Sequence, residues 1–288
     1  MRFLVGLIGS GIASSGSPAI HEREARQLGI DLHYQLLDLG TRGLSAKNLP
    51  ALLDAAELMG FAGVNVTHPC KQAVIPFLHE LSADAEAVGA VNTVVFRDGS
   101  RIGHNTDWSG FGESLRRGLP GASLDSVLLI GAGGAGCAVC YAALHSGVKR
   151  LFVFDRENAR AEKLASRFAP RFGQASVAAV SDPTVVSRTV SGLIHATPAG
   201  MAGHPGMAIE PEFLRPEMWV ADIVYFPLET GLLRAARQRG CRTLDGGGMA
   251  VLQAAQAFRL FTGIEPDRER MLAQFRDSLR PGNSPMPE

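Results

Sequence analysis

Ser126-Val127-Leu128-Leu129-Ile130-Gly131-Ala132-Gly133-Gly134-Ala135-Gly136 decides how this chain is read. The continuous apolar run predicts a strand buried on both faces, as in a parallel sheet. The glycines follow it in the spacing G-x-G-x-x-G, and a helical stretch runs on to His145. The next apolar strand, Leu151 to Phe154, ends at Asp155, nineteen positions after Gly136. Strand, glycine turn, helix, strand and acid in this order form a dinucleotide-binding fingerprint. Gly131 permits the tight turn, and Gly133 lets backbone approach a pyrophosphate. Gly136 lets the helix pack closely on the strand. The free N–H groups at the helix start, around Gly134 and Ala135, suit the anion. The competing reading is a glycine-rich connection in an unrelated α/β domain.

Asp155 bears on which dinucleotide is bound. A carboxylate there accepts hydrogen bonds from both ribose hydroxyls of NAD and repels the extra phosphate of NADP. Arg156 counts the other way, because a guanidinium beside the ribose suits that phosphate. NAD is the expected cofactor, with NADP the weaker alternative.

Outward from this motif the chain is an ordinary globular one. Its 288 residues suggest two domains at about 150 residues each. They are 46% hydrophobic and 19% charged, enough apolar content for a sizeable core. Lys+Arg 28 balances Asp+Glu 28, so no basic field points to nucleic acid or an anionic membrane. No apolar stretch reaches the ~18 residues that span a bilayer. The first residues lack the apolar core of a signal peptide, and a cytoplasmic protein is expected. Four cysteines in a chain this long are not a disulfide framework. Cys137-x-x-Cys140 invites a redox reading, but the two stand one helical turn apart where a helix packs on a sheet. No second Cys/His pair offers metal spacing, so no metal is expected.

The first part of the chain alternates strand and helix, which predicts an α/β layer. Strands are predicted at Leu4 to Ile8, His33 to Leu39, Val64 to Thr67 and Val91 to Phe96, the last followed by an Asp98-Gly99 turn. Helices are predicted at Pro18 to Leu28 and Leu49 to Met59. Cys70 to Val88 reads as helical with a break near Pro76. A second α/β unit begins near residue 107, with later strands at Leu193 to His195, Trp219 to Val224 and Arg242 to Leu244. Gly246-Gly247-Gly248 breaks the chain, Met249 to Phe261 is helical, and Arg280 to Glu288 reads as a loose tail.

Polar clusters on this apolar scaffold are the candidate substrate site. Ser14-Ser15-Gly16-Ser17-Pro18 reads as a helix start, with Ser17 as cap and Pro18 at the first helical position. Hydroxyls there also suit a carboxylate. Lys71 is one of only four lysines against 24 arginines. Lysine can exchange a proton near neutral pH when perturbed, and arginine cannot. Its place near a helix start disfavours positive charge, the direction a general base requires. The alternative is a solvated surface lysine. Asp107, in Asn105-Thr106-Asp107, reads either as a helix cap or as a partner for Lys71 and substrate.

Together these stretches resemble the shikimate dehydrogenases over essentially the full length, and within them the NAD-linked quinate/shikimate dehydrogenases. The resemblance rests on Gly6-Leu7-Ile8-Gly9, Ser15-Gly16-Ser17-Pro18 with His21, and Asn65-Val66-Thr67-His68-Pro69 with Lys71-Gln72. It continues through Gly89-Ala90-Val91-Asn92-Thr93, Asn105-Thr106-Asp107, Gly131 to Gly136 and Ala196-Thr197-Pro198 with Gly200-Met201. Asp222, Val224-Tyr225, Pro227 and Gly248-Met249 with Gln253 complete it.

The resemblance implies an α/β fold: an N-terminal substrate domain with a mixed sheet (1–106), a Rossmann-type domain (107–248), and C-terminal helices (249–288) returning to the first domain. It implies hydride transfer between NAD and the C3 hydroxyl of quinate or shikimate, in a monomer or homodimer. Lys71 and Asp107 would be the catalytic pair. Ser15 and Ser17 would hold the substrate carboxylate; Thr67, Asn92, Tyr225 and Gln253 would bind the ring. Thr197, Gly248 and Met249 would lie near the cofactor. Three positions depart from the pattern: His195 where Asn is usual, Trp108 for a glycine, and Ser17 for a threonine. Rival readings are an NADP-linked biosynthetic shikimate dehydrogenase, an aminoshikimate dehydrogenase, a non-catalytic quinate or shikimate sensor, and a redox protein using Cys137 and Cys140.

Overall fold

The computed structural model describes residues 2–173 and 176–278. The tail from Arg280 to Glu288, read from sequence as loose, lies outside them. The chain divides into two compact units. One runs to Gly110 and resumes from Val251 onward; the other is Phe111–Ala250.

The first unit is built on a mixed sheet of β1 (Arg2–Gly9), β2 (Asp31–Asp38), β3 (Gly63–Val66), β4 (Glu80–Leu81), β5 (Thr93–Arg97) and β6 (Ser100–His104). Their order is β2-β1-β3-β5-β6-β4. β1 pairs parallel with β2 and β3, and β5 pairs antiparallel with β3 and β6. Val5, Leu7 and Ile8 are buried, so β1 reads as apolar because both its faces are covered. The helices Gly247–Thr262 (from Val251) and Arg268–Ser278 complete this unit. Phe258 and Phe261 join Val5, Leu7, Leu32 and Tyr34 in one core cluster. Arg270 Nη2 lies 2.6 Å from Glu24 Oε1 and clamps the last helix to helix Ser17–Gln27. The expected return of the C-terminal helices to the first unit is therefore present.

Two sequence expectations are corrected here. Cys70 to Val88 is not one broken helix. It is a single turn (Cys70–Ala73), a 3₁₀ turn at Ile75–Phe77, the strand β4 and a short helix at Ala83–Val88. Pro76 cannot continue a helical ladder. Beyond it, His79 N–H donates to the Arg101 carbonyl, and Glu80–Leu81 then pairs with Ile102–Gly103. Ser82 starts a new helix by accepting from Ala85 N–H. The sequence pattern marks no strand after the Asp98-Gly99 turn, yet β6 follows it at Ser100–His104. Asp98 and Gly99, at φ 51° and 74°, form a left-handed pair that returns the chain directly as a hairpin.

The second unit is an all-parallel sheet of β7 (Val127–Ile130), β8 (Leu151–Phe154), β9 (Val177–Ala179), β10 (Gly192–His195), β11 (Trp219–Asp222) and β12 (Arg242–Leu244). The order β9-β8-β7-β10-β11-β12 reverses direction between β7 and β10, the doubly wound arrangement whose ligands sit at the switch point. All four residues of β7 are buried.

His21 is a buried group with no charge partner among the described residues. Its ring centroid lies 4.8 Å from that of Tyr34 and 6.1 Å from that of Phe258, and its Nδ1 has no hydrogen-bond partner among the described residues. Burial pushes its pKa down from 6.5 to about 3. Below pH 6.5 the unfolded chain takes a proton that the folded chain refuses, so stability is lost as pH falls from there toward 3. Between pH 6.5 and 4.5 this removes about 2 kcal/mol. His21→Leu is expected to shrink the acid loss of unfolding free energy by that amount in urea titrations at the two pH values. Equal losses in parent and variant would remove His21 from the account.

Candidate active site

In the first unit, β3 ends at Val66 and the chain turns through Thr67-His68-Pro69 into the one-turn helix that carries Lys71. Thr67 N–H donates to Ile8 O at 2.9 Å, and Ser10 N–H donates to His68 O at 2.9 Å. A Cβ on Gly9 would lie 2.3 Å from Thr67 Cγ2, so the missing side chain is what lets Thr67 lie against the end of β1. Lys71 Nζ stands 2.6 Å from Asp107 Oδ2, with the side chains 16% and 7% exposed. Val91 N–H donates to Lys71 O, tying the lysine backbone to the residue before Asn92.

Asp107 is not the cap of its helix. Asn105 Oδ1 accepts from the N–H groups of Asp107 (3.1 Å) and Trp108 (3.3 Å) and does that work instead. The carboxylate is left to accept from Lys71 and, at 3.0 Å, from Asn92 Nδ2. It sits in the first turn of helix Asp107–Gly118, where the dipole favours an anion. Gln253 Oε1 accepts from Asn92 Nδ2 and Thr106 Oγ1, each at 3.3 Å. Lys71, Asn92, Asp107 and Gln253, spread over the sequence, thus form one cluster.

Ser15 and Ser17 lie side by side, their hydroxyl oxygens 3.1 Å apart. The expectation that Ser17 caps its helix is corrected. Gly16 already has helical dihedrals and occupies the cap position, without a side-chain cap bond, and Ser17 is the first helical residue. The Ser17 hydroxyl is therefore not spent on capping, while Ser15 Oγ accepts from the Ser17 N–H at 3.3 Å; both side chains are half-buried. Asp38, which sequence reasoning passed over, holds the segment before them. Its Oδ2 accepts from Ile12 N–H (2.7 Å) and its Oδ1 from Gly11 (3.1 Å) and Gly40 (2.9 Å). Burial pushes this carboxyl up, but the backbone donors Ile12, Gly11, Gly40 and Thr41 outweigh it and hold the pKa below the ordinary value. Its signal in the sequence was an acid ending a strand just before Gly40-Thr41.

In the second unit, the glycine turn joins β7 to helix Gly134–His145. Gly131 has φ 109°, and a Cβ on it would lie 2.6 Å from Ala196 O. A Cβ on Gly136 would lie 2.1 Å from Gly131 O, which is the close helix-to-strand approach the spacing implied. A Cβ on Gly133 would meet nothing within 4 Å, so the backbone between these contacts is open to a ligand. Asp155 Oδ2 accepts from Ala132 N–H at 2.8 Å, and Oδ1 from Glu157 N–H at 3.0 Å. The acid thus touches the turn itself, with Arg156 exposed next to it. A tight turn with an open central glycine, a helix N-terminus and an adjacent carboxylate fit a dinucleotide.

Thr197 packs at the same turn, its Cγ2 2.8 Å from where a Gly131 Cβ would be. His195, the departure from the usual Asn, is fully buried between Asp222 Oδ1 (2.9 Å from Nδ1) and Thr197 Oγ1 (2.5 Å from Nε2). A carboxylate only accepts, so Nδ1 carries a proton and donates to Asp222. Gly246 to Gly248 do not break the chain. The helix starts at Gly247, whose N–H donates to Asp245 Oδ1, and a Cβ on Gly248 would lie 2.3 Å from Ser114 Oγ. Met249 is buried, and Tyr225 is 40% exposed.

Cys137 and Cys140 are free thiols buried within helix Gly134–His145. Burial raises both pKa values, Cys140's well above the ordinary thiol range. Thiolates are the reactive form, so these cysteines are packing residues. The Cys137→Ala, Cys140→Ala double variant is expected to keep turnover within about two-fold, read by initial rates. A loss beyond ten-fold would reopen the redox reading.

A mixed-sheet unit with a lysine–aspartate cluster and a doubly wound unit with a dinucleotide turn define a two-unit, dinucleotide-linked dehydrogenase architecture. Family-wide sequence models place it further. The shikimate dehydrogenase substrate binding domain matches residues 7–94, shikimate / quinate 5-dehydrogenase matches 115–189, and the shikimate 5'-dehydrogenase C-terminal domain matches 246–274. The shikimate dehydrogenase (NADP(+)) of Streptomyces avermitilis is 53% identical, over 96% of this chain and 95% of that protein. The quinate/shikimate dehydrogenase (NAD(+)) of Corynebacterium glutamicum is 49% identical, over 94% and 97%. Among solved structures, the quinate dehydrogenase from Corynebacterium glutamicum in complex with NAD superposes with a TM-score of 0.89 at 48% identity, covering 96% of this chain and 99% of that one. The Thermus thermophilus shikimate 5-dehydrogenase in complex with NADP(H) and shikimate gives 0.85 at 34% identity, covering 96% and 100%. The chain belongs to the shikimate/quinate dehydrogenase family and is an oxidoreductase of that type. No helix among the described residues is long and apolar enough to cross a membrane.

Proposed function

We propose that this enzyme oxidises the C3 hydroxyl of quinate and shikimate with NAD, giving the 3-dehydro ketones, as a cytoplasmic monomer or homodimer. The first unit, with the returning C-terminal helices, is the substrate domain, and the second carries the cofactor. The observation that carries the reaction is the nearly buried Lys71–Asp107 pair at 2.6 Å. An alcohol becomes a ketone by losing a hydride from carbon and a proton from oxygen. A dinucleotide held at the glycine turn would supply the hydride acceptor. Lys71 Nζ takes the hydroxyl proton, and Asp107 fixes the amine and accepts a hydrogen bond from the substrate. Ser15 and Ser17 hold the carboxylate, while Thr67, Asn92, Tyr225 and Gln253 bind the ring.

The cofactor would lie on Gly131, Gly133, Gly134, Ala135 and Gly136, with Thr197, Gly248 and Met249 toward its nicotinamide end. Asp155, already oriented by the Ala132 and Glu157 amides, favours NAD. The second reading, an NADP-linked shikimate dehydrogenase, is favoured by Arg156 and by the Streptomyces relative.

Initial rates of reduced-cofactor formation with quinate and shikimate, each against NAD and NADP, test both. Turnover of both acids with NAD is expected. Turnover of shikimate alone with NADP would establish the second reading. No turnover in any combination would overturn both and leave an aminoshikimate substrate or a sensor.

A further inference from the structure

We propose that Thr93 is a positioning residue for the reaction, setting the amide of Asn92 and through it the carboxylate of Asp107. It rests on the reading of Lys71 and Asp107 as the catalytic pair.

A buried network of side-chain amides and hydroxyls, with fixed hydrogen-bond directions, runs to Asp107. Asn65, Asn92, Thr93 and Thr106 are all buried, Thr93 completely. Asn65 and Thr93 face each other across β3 and β5. Two backbone groups fix the orientation of everything between them. The Asn92 carbonyl can only accept, so the Asn65 atom 3.1 Å from it is the donor Nδ2. The Thr106 N–H can only donate, so the Asn92 atom 2.7 Å from it is the acceptor Oδ1.

The rest follows by elimination. Asn65 Nδ2 also donates to Thr93 Oγ1 at 2.9 Å. With that oxygen accepting, its own hydrogen goes to Asn92 Oδ1 at 3.1 Å. Asn65 Oδ1 is then the acceptor for the Tyr34 hydroxyl at 2.8 Å. Asn92 Oδ1 therefore holds two donors, Thr93 and Thr106, which turns Asn92 Nδ2 toward Asp107 Oδ1 at 3.0 Å. The other aspartate oxygen, Oδ2, is the one that meets Lys71. Along this path the hydrogens run one way, from Tyr34 through Asn65, Thr93 and Asn92 to Asp107.

Without the Thr93 hydroxyl, Asn65 Nδ2 and Asn92 Oδ1 each lose a buried partner; Asn92 Oδ1 keeps the Thr106 N–H, and its Nδ2 keeps Thr106 Oγ1 at 2.9 Å and Gln253 Oε1 at 3.3 Å as acceptors that compete with Asp107. With one of the two donors on Asn92 Oδ1 gone, the amide is free to swing toward those competing acceptors and away from Asp107 Oδ1, and misplacement of a catalytic group is costly in rate. Valine has the shape of threonine without the hydroxyl, and serine keeps the hydroxyl.

The experiment compares Thr93→Val with Thr93→Ser by crystal structure and by steady-state rates with NAD, quinate and shikimate. In Thr93→Val, the Asn92 amide is expected to turn away from Asp107 and kcat to fall about ten-fold, with the KM for NAD unchanged. Thr93→Ser is expected to keep the amide in place and kcat within three-fold. An unmoved amide in the valine variant, or an equal loss of kcat in valine and serine, overturns the proposal. Where the valine variant does not fold, Thr93→Ser decides: parental kcat with the Asn92 amide on Asp107 supports the proposal, and parental kcat with the amide turned away overturns it. A folded serine variant with ten-fold lower kcat overturns it. A turned amide in a chain whose parent oxidises neither acid keeps the relay and overturns the catalytic reading instead.

Discussion

Lys71→Ala is expected to lower kcat about a thousand-fold while changing the KM for quinate or shikimate by less than five-fold. General acid–base groups contribute about 10²–10⁴ to rate, and Lys71 is the amine placed to take the hydroxyl proton. The substrate contacts proposed for Ser15, Ser17, Thr67 and Gln253 do not pass through it, so binding is largely retained. The variant keeps its fold because Asp107 still accepts from Asn92 Nδ2 and still sits at a helix N-terminus. The truncation also leaves room for a small amine. Added methylamine or ethylamine is expected to restore part of the lost turnover, in proportion to its free-base concentration. That separates a missing base from a damaged site, since a misfolded variant gains nothing from an amine. Near-normal turnover in Lys71→Ala would remove the lysine from the mechanism.

How much of this site was legible depended on where its partners lay in the sequence. The dinucleotide turn was readable because its parts are local: an apolar run, three spaced glycines and an acid within thirty residues. The physical demands there act on backbone, and backbone demands leave glycine as a visible trace. Asp107 was readable as a candidate, but not its role. Whether it or Asn105 capped the helix is decided by which side chain the turn aims at the free N–H groups, and both residue types cap well.

Cys70 to Val88 misled for a different reason. Its apolar spacing is compatible with a helix, and β4 has only two residues, which carry no period of their own. Their conformation comes from β6, the strand whose presence was also missed, so one error followed from the other. His195, Asp38 and Thr93 lay deeper still. Each acts through hydrogen bonds to groups distant in sequence or across a sheet. Nothing in a single residue's neighbours announces that a histidine will link an aspartate 27 residues on to a threonine two residues on.

Asp155→Asn is expected to move the ratio of kcat/KM for NAD over NADP by about 100-fold toward NADP. The carboxylate has two duties, and the substitution separates them. One is structural: Oδ2 accepts from Ala132 N–H and Oδ1 from Glu157 N–H, so the acid ties the glycine turn to the end of β8. Asparagine keeps one oxygen for one of these donors. The other duty is electrostatic. Each carboxylate oxygen has a further lone pair for a ribose hydroxyl, and the same charge opposes a phosphate at that position. Two charges a few ångströms apart near a protein surface interact by about 2–4 kcal/mol, and 1.4 kcal/mol is a factor of ten. Removing the charge therefore lowers the barrier to NADP by at least ten-fold and leaves exposed Arg156 free to pair with the phosphate. NAD loses about ten-fold by giving up one charge-assisted acceptor. The measurement is kcat/KM for both cofactors in parent and variant, at saturating acid. Arg156→Ala in the Asp155→Asn background is expected to reverse the gain for NADP while sparing NAD. An unchanged ratio in Asp155→Asn would mean that the acid serves the turn alone, and that selectivity between the two cofactors lies elsewhere in the second unit.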